Sequence, residues 1–182
     1  MLYVIAFSGK IGSGKSSISQ LMAKNFNFQR VSFGDYVRKI ATERNIEHSR
    51  FNLQNLGESL MSENPNQFCR NVLNQVSAAS DKPLVIDGIR HKIALDEIKT
   101  IINPNKIFHI HIEVHEEVRL ERIIQRQDVN PNEIEMIDAH PSEKQVTLLF
   151  SEIADLVINS ENDIEQNLEI IEEWLRVNVS IN

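Results

Sequence analysis

The sequence lacks the features that would place the protein in a membrane, in an oxidising compartment or on nucleic acid. Its 182 residues include a single cysteine, Cys69, so an internal disulfide is impossible. No apolar run approaches the roughly 18 residues that a membrane span needs, and no basic segment precedes a cleavable apolar stretch. The net charge of −7 argues against a nucleic-acid surface. We therefore expect a cytoplasmic protein with neither a membrane nor a nucleic acid as partner.

One glycine-rich motif is the strongest signal that is present. Residues 9–16 fit G-x-x-x-x-G-K-[ST], the P-loop, whose consecutive backbone N–H groups wrap a polyphosphate. Only small residues let the backbone approach a phosphate so closely, and Gly12, Ser13 and Gly14 meet that need. An apolar run over residues 2–7 precedes the motif, and apolar residues at helical spacing follow it. The pattern therefore predicts a strand, a phosphate-binding loop and a helix.

The motif assigns roles to its last two residues. Lys15 would place its ammonium group on the β- and γ-phosphates of a nucleotide, and the Ser16 hydroxyl would ligate Mg²⁺. The N-terminus of the following helix would direct its positive end at the same phosphates. A turn with an incidental lysine is the alternative, and it leaves both matching flanks unexplained.

A second candidate for the metal site ends a later apolar strand. Residues 84–90 read as a buried strand in which Asp87 comes near the carboxyl end. An acid at that place beside a P-loop is expected to hold Mg²⁺, through water or together with Ser16, although a plain turn is the alternative. Arg90 follows, and a guanidinium group can bind a phosphate with two hydrogen bonds.

Hydrophobic periodicity predicts one α/β domain over residues 1–182. Five strands alternate with helices, which indicates a parallel sheet with helices on both faces, the three-layer sandwich of P-loop NTPases. Helices between the second and third strands would form an acceptor-binding insertion at about residues 34–80. Residues 127–141 are polar and contain prolines, which favours a short mobile lid. The predicted strands cover residues 2–7, 28–33, 84–90, 107–114 and 154–159.

Polar residues of the insertion are candidates for binding the acceptor. Ligands of such sheets lie beyond the carboxyl ends of the strands, which places Asp35 and Arg38 at the site. Arg50 and Gln54, farther along the insertion, could add contacts that set specificity. A solvated surface position is the alternative for each of these side chains.

Two other clusters have a functional and a structural interpretation. Three arginines at helical spacing could collect phosphate charge, or could pair with nearby glutamates on a solvated face; they are Arg119, Arg122 and Arg126. His109, His111 and Glu113 alternate onto one face of the fourth predicted strand. We interpret them as structural rather than as a metal site, because the pattern supplies no further ligand.

Taken together, these segments resemble the P-loop nucleoside and nucleotide kinases of the adenylate kinase and dephospho-CoA kinase group. Residues 49–58 are also similar to a segment of the deoxynucleoside monophosphate kinases encoded by phages. The resemblance implies transfer of the γ-phosphate of ATP to a (deoxy)nucleoside monophosphate, with Mg²⁺ and a closing lid. Residues 127–150 contain no arginine, which leaves Lys144 and His140 as cationic substitutes there.

Carried over by position, the resemblance implies a complete set of site residues. The donor nucleotide would be bound by Gly12, Ser13, Gly14, Lys15, Ser16 and Ser17. Mg²⁺ would be held by Ser16 and Asp87. The acceptor phosphate would be bound by Arg38 and Arg90, to which the position of the predicted insertion adds Asp35 and Arg50 as acceptor-binding candidates. The catalytic residues would be Lys15, Asp87, Arg122 and Arg126, of which the last two stabilise charge in the transition state.

Two other functions stay open at this point. Transfer to a hydroxyl group, as in dephospho-CoA kinases, would need a carboxylate base, for which Asp35 and Asp87 are candidates. An ATPase or nucleotide switch would instead need a residue that positions water, such as Gln54 or Gln125. The sequence is equally compatible with a monomer and a dimer.

Overall fold

The chain folds around a five-stranded, fully parallel sheet. The computed structural model describes residues 3–77, 81–126, 133–161 and 163–179, without the side chain of Arg126. The strands are β1 (Tyr3–Ser8), β2 (Gln29–Ser32), β3 (Leu84–Ile89), β4 (Lys106–Glu113) and β5 (Leu156–Asn159). They lie in the order β2-β3-β1-β4-β5. The predicted α/β sandwich with a five-stranded parallel sheet is confirmed.

The connections between the strands are helical, as right-handed crossovers require. Within the described ranges the helices are α1 (Lys15–Asn25), α2 (Phe33–Glu43), α3 (Arg50–Glu63), α4 (Pro65–Leu73), α5 (Lys92–Ile102), α6 (Glu116–Arg126), α7 (Ile134–Asp138), α8 (Pro141–Ile153) and α9 (Ile164–Asn178).

Strand β1 is buried on both faces because it is the central strand. Val4 and Ala6 pack against the layer formed by α2, α3, α4, α5 and α8. Ile5 and Phe7 point the other way, into the layer formed by α1 and α9. A continuous apolar run is the pattern expected of such a doubly covered strand. Cys69 lies fully buried in the first layer.

In the insertion between β2 and β3, helices α3 and α4 each have an N-terminus that is capped by a side chain. The Ser49 hydroxyl accepts a hydrogen bond from Asn52 N at the start of α3. Asn64 does the same for Gln67 N at the start of α4, and Pro65 occupies the first turn, where its missing N–H costs nothing. Asn64 therefore lies at the boundary between the two helices.

The predicted lid falls only partly within the described residues. Its first part, residues 127–132, lies outside them. The rest contains the short helix α7, whose Ile137 is buried with Ile11 of the P-loop and Ile123 of α6. The sequence did not predict this helix, and its contacts place the described half of the segment directly over the phosphate-binding loop.

Candidate active site

The P-loop connects β1 to α1 through three glycines in left-handed backbone conformations. Gly9, Gly12 and Gly14 have φ values of 150°, 82° and 86°, a region that side chains with a Cβ atom rarely adopt. Helix α1 begins at Lys15 directly after Gly14. Lys15 is almost fully buried, and its Nζ donates to Lys10 O at 3.1 Å. The loop thus holds its lysine folded over its own backbone, where a polyphosphate would lie.

Replacing Gly12 by alanine is expected to lower the free energy of unfolding by at least about 1 kcal/mol, because alanine would have to adopt a strained, left-handed backbone conformation. That Cβ would lie 2.9 Å from Arg119 O and 2.9 Å from Ile123 Cγ1. Urea denaturation measures the loss. Gly57→Ala in α3 is the matched control, since its Cβ would meet only Val37 Cγ2, at 3.7 Å, and should gain about 0.5–1 kcal/mol. Equal effects of the two substitutions would contradict this account.

A cavity of about 280 Å³ opens beside the P-loop, under the insertion. Its polar lining gathers six residues predicted for the site: Lys15, Ser16, Arg38, Arg50, Asp87 and Arg90. Its apolar wall comes from α2, α3 and α4: Phe33, Val37, Leu53, Met61 and Phe68. The cavity is therefore lined both by cationic side chains and by apolar side chains of the insertion.

Asp87 has the environment of a metal-binding carboxylate that is already partly engaged. Its side chain is 4 % exposed, and Oδ2 accepts from Arg30 Nη2 at 2.6 Å. Oδ1 is buried without a hydrogen-bond partner among the described residues. Ser16 lines the same cavity, and a carboxylate plus a hydroxyl oxygen is a donor set that Mg²⁺ accepts.

The described residues contain no group of three or more His, Cys, Asp or Glu side chains that could hold a metal ion. That finding is compatible with Mg²⁺, since this ion usually keeps several waters and binds one or two protein oxygens together with substrate phosphates. The residues present therefore fit Mg²⁺ that enters with a nucleotide.

Asp35 and Arg38 form an ion pair at the rim of the cavity. Arg38 Nη2 lies 2.5 Å from Asp35 Oδ1, and Arg30 Nη1 lies 3.5 Å from Asp35 Oδ2. Partial burial alone would raise the pKa of Asp35, but the hydrogen bond and charge of Arg38, with those of Arg30, outweigh it and lower the pKa. The carboxylate is thus a weak base, and Asp35 does not itself line the cavity described above.

Arg90 is a largely buried cation that forms an ion pair with a buried carboxylate. Its guanidinium pairs with Glu143, which is fully buried at the start of α8. Burial and the nearby charge of Arg50 together lower the pKa of Arg90 to about 9, although Asp87 opposes the change, so the group stays charged at neutral pH. Glu143 Oε2 also accepts from Ile11 N at 3.4 Å. The pair therefore joins β3, α8 and the P-loop.

The three arginines of α6 have different environments. Arg122 donates to Ser160 Oγ at 2.9 Å and to Ser160 O at 2.7 Å, beside Gly14. Arg119 is fully buried and pairs with Glu116 and Asp138. The ion-paired interpretation therefore holds for Arg119, while Arg122 lies at the P-loop. The side chain of Arg126 is outside the described residues.

The histidines of β4 form a buried polar contact with the residue before the P-loop. Ser8 Oγ lies 2.7 Å from His109 Nε2 and 2.8 Å from His111 Nδ1. Burial lowers the pKa of both histidines to about 4, so both are neutral at physiological pH. Their hydrogen bonds to the buried Ser8 are in keeping with a structural role.

Sequence reasoning missed Arg30 and Glu143. Arg30 belongs to β2, and only the adjacency of β2 and β3 brings it to Asp87. Glu143 follows the predicted lid and reaches the site only because α8 packs over the P-loop. The order of charged residues along the sequence does not indicate either pairing. The one available signal was Arg30 itself, a basic residue in the short strand that precedes Asp35.

Comparison with known proteins gives the family. Residues 5–143 match the model of a family described as the AAA domain. The chain belongs to this AAA-domain family. It is 30% identical over 124 residues to a UPF0200 protein of Hyperthermus butylicus, and the match covers 68% of this chain and 64% of that relative. The chain thus spans less than two thirds of the length of this curated relative.

Solved structures of kinases share the fold of this AAA-domain protein. A shikimate kinase from Acinetobacter baumannii in complex with shikimate has a TM-score of 0.63 at 13% identity, with 99% of this chain and 94% of that chain covered. Shikimate kinase from Aquifex aeolicus has a TM-score of 0.60 at 18% identity, with 98% and 99% covered. The predicted resemblance to P-loop kinases is confirmed, at the level of the fold. None of the described helices has the length and apolar character needed to cross a membrane.

Proposed function

We propose that the protein is an ATP- and Mg²⁺-dependent phosphotransferase whose acceptor is a (deoxy)nucleoside monophosphate. The observation that carries the proposal is the cavity beside the P-loop, whose lining includes Arg38, Arg50 and Arg90. Guanidinium groups bind phosphate bidentately and are the usual choice for phosphate recognition. An acceptor with a phosphate group and a largely planar, apolar body matches this combination of arginines and apolar side chains.

The residues of the site divide the work of such a transfer. The P-loop backbone and Lys15 bind the donor phosphates, and Ser16 with Asp87 Oδ1 would hold Mg²⁺, which when bound neutralises charge on the β- and γ-phosphates. The arginines of the cavity orient the acceptor phosphate for in-line attack. A phosphate oxygen is already anionic, so positioning and charge neutralisation suffice without a strong base.

Transfer to a hydroxyl group is the second candidate, because the proteins of similar fold include shikimate kinases. This reaction needs a carboxylate that can take the hydroxyl proton. Asp87 is bound by Arg30 at 2.6 Å, and Asp35 is bound by Arg38 at 2.5 Å. Because both carboxylates are neutralised by arginine, the site supports a phosphate acceptor better than a hydroxyl acceptor.

A panel of acceptors tests the proposal. We expect ADP release from Mg-ATP to rise at least about a hundredfold with one ribo- or deoxynucleoside monophosphate, and to stay at the basal rate with shikimate and dephospho-CoA. Arg38→Gln should then raise the KM of that acceptor at least about tenfold, since a charged hydrogen bond is lost. Asp35→Asn should change kcat by less than about fivefold.

Two results would contradict the proposal. If ADP release is the same with and without every acceptor, the protein is an ATPase or switch. The second candidate is correct if Asp35→Asn abolishes kcat with a hydroxyl acceptor and if the kcat of the wild-type protein rises with pH as a carboxylate is deprotonated.

A further inference from the structure

Arg30 has no role in the proposed mechanism, yet it lies at the centre of a chain of alternating charges. Its Nη2 lies 2.6 Å from Asp87 Oδ2, and its Nη1 lies 3.5 Å from Asp35 Oδ2. Asp35 in turn pairs with Arg38 at 2.5 Å. The chain of charges Asp87, Arg30, Asp35 and Arg38 therefore runs from the candidate metal site to the rim of the acceptor cavity.

The third contact of Arg30 leads to the other candidate metal ligand. Its Nε donates to Ser19 Oγ at 3.1 Å, and Ser19 Oγ donates to Ser16 O at 3.0 Å. Ser19 is fully buried, and the Arg30 side chain is 18% exposed. One guanidinium group thus contacts Asp87 directly and Ser16 through a single buried hydroxyl.

We propose that Arg30 is a positioning residue that limits Asp87 to one metal-binding oxygen and keeps the affinity of the site for Mg²⁺ low. The inference rests on the proposed function, since it assumes that Mg²⁺ is bound with a nucleotide. Oδ2 is occupied by the guanidinium, whereas Oδ1 has no hydrogen-bond partner among the described residues, and Asp87 lines the cavity. Mg²⁺ would then be offered one carboxylate oxygen and the Ser16 hydroxyl, and nucleotide phosphates and water would supply its other ligands.

Electrostatics gives this arrangement a measurable consequence. The carboxylate of Asp87 would attract Mg²⁺, but the unit positive charge of Arg30 lies at hydrogen-bond distance from the same carboxylate and cancels much of that attraction. Such a site binds Mg²⁺ weakly on its own, so the metal arrives and leaves with the nucleotide. Removing the charge should convert it into a tighter metal site.

The test is the linkage between Mg²⁺ and nucleotide binding, measured by calorimetry with a non-hydrolysable ATP analogue. The readout is the Kd of the analogue in EDTA divided by its Kd in excess Mg²⁺. We expect this ratio to rise about tenfold in Arg30→Gln, because a cation close to the metal is removed. Arg30→Lys keeps the charge and should remain within about threefold of the wild-type ratio.

Two further variants complete the design. Arg176→Gln removes an arginine that is 69% exposed and paired with Glu172 on α9, and it should leave the ratio unchanged. Asp35→Asn, at a half-exposed position, strengthens the effective charge of Arg30 and should lower the ratio about two- to threefold. This second variant decides the question if Arg30→Gln fails to fold.

An unchanged or lower ratio in Arg30→Gln, or an equal rise in Arg30→Lys, would overturn the inference. The assay uses no acceptor, so it gives its answer even if no acceptor accelerates ADP release. If the wild-type protein does not bind the analogue at all, the proposed function fails and this inference fails with it.

Discussion

Lys15→Met is expected to reduce acceptor-dependent ADP release at least about a hundredfold, the scale on which loss of one preorganised charge contact slows a reaction. Lys15 is buried at the base of the P-loop, and its ammonium group is held at 3.1 Å from Lys10 O. Methionine retains the apolar stem, so the loop should keep its packing while the charge that faces the phosphates is lost. Steady-state ADP release with saturating acceptor measures the effect.

Lys24→Met is the matched control for this substitution. Lys24 lies in the last turn of the same helix, α1, and is exposed. Its rate should stay within about twofold of wild type, since isolated surface charges contribute little. Unfolding midpoints for both variants separate a catalytic loss from a folding loss. A Lys15→Met enzyme that retains more than a tenth of the wild-type rate would mean that Lys15 does not neutralise charge in the transition state.

The parts of the molecule that the sequence predicted are those with local causes. The P-loop was predictable because its glycines satisfy a backbone requirement within eight residues, and φ values of 82° and 86° at Gly12 and Gly14 meet that requirement. The strand bearing Asp87 was predictable because a buried parallel strand is a continuous apolar run.

The parts that the sequence did not predict depend on contacts between distant segments. Arg30 binds Asp87 across 57 positions of the chain, and this contact exists because β2 and β3 are neighbours in the sheet. Arg119 reads as a member of a solvated arginine face, yet the placement of α7 brings Asp138 to it and buries it. Strand order and helix packing, which no local pattern encodes, decided both cases.

The ion pair between Arg90 and Glu143 also joins distant segments, and its loss has the largest expected effect on stability. Glu143→Leu should lower the free energy of unfolding by about 3–5 kcal/mol, because it leaves the Arg90 guanidinium buried without its carboxylate partner. Glu143 is fully buried and Arg90 is 19% exposed, so water can replace only part of the lost pairing. Urea denaturation of the purified protein without nucleotide measures the change.

A double substitution distinguishes the ion pair from simple packing. Arg90→Met combined with Glu143→Leu removes both charges, and it should recover at least half of the lost stability, since apolar replacements of buried ion pairs are often neutral or stabilising. Glu172→Leu is the surface control, because its pair with Arg176 lies on the exposed side of α9 and should contribute less than about 1 kcal/mol. If Glu143→Leu costs no more than Glu172→Leu, Arg90 does not depend on Glu143. The buried carboxylate would then serve mainly as an acceptor for Ile11 N of the P-loop.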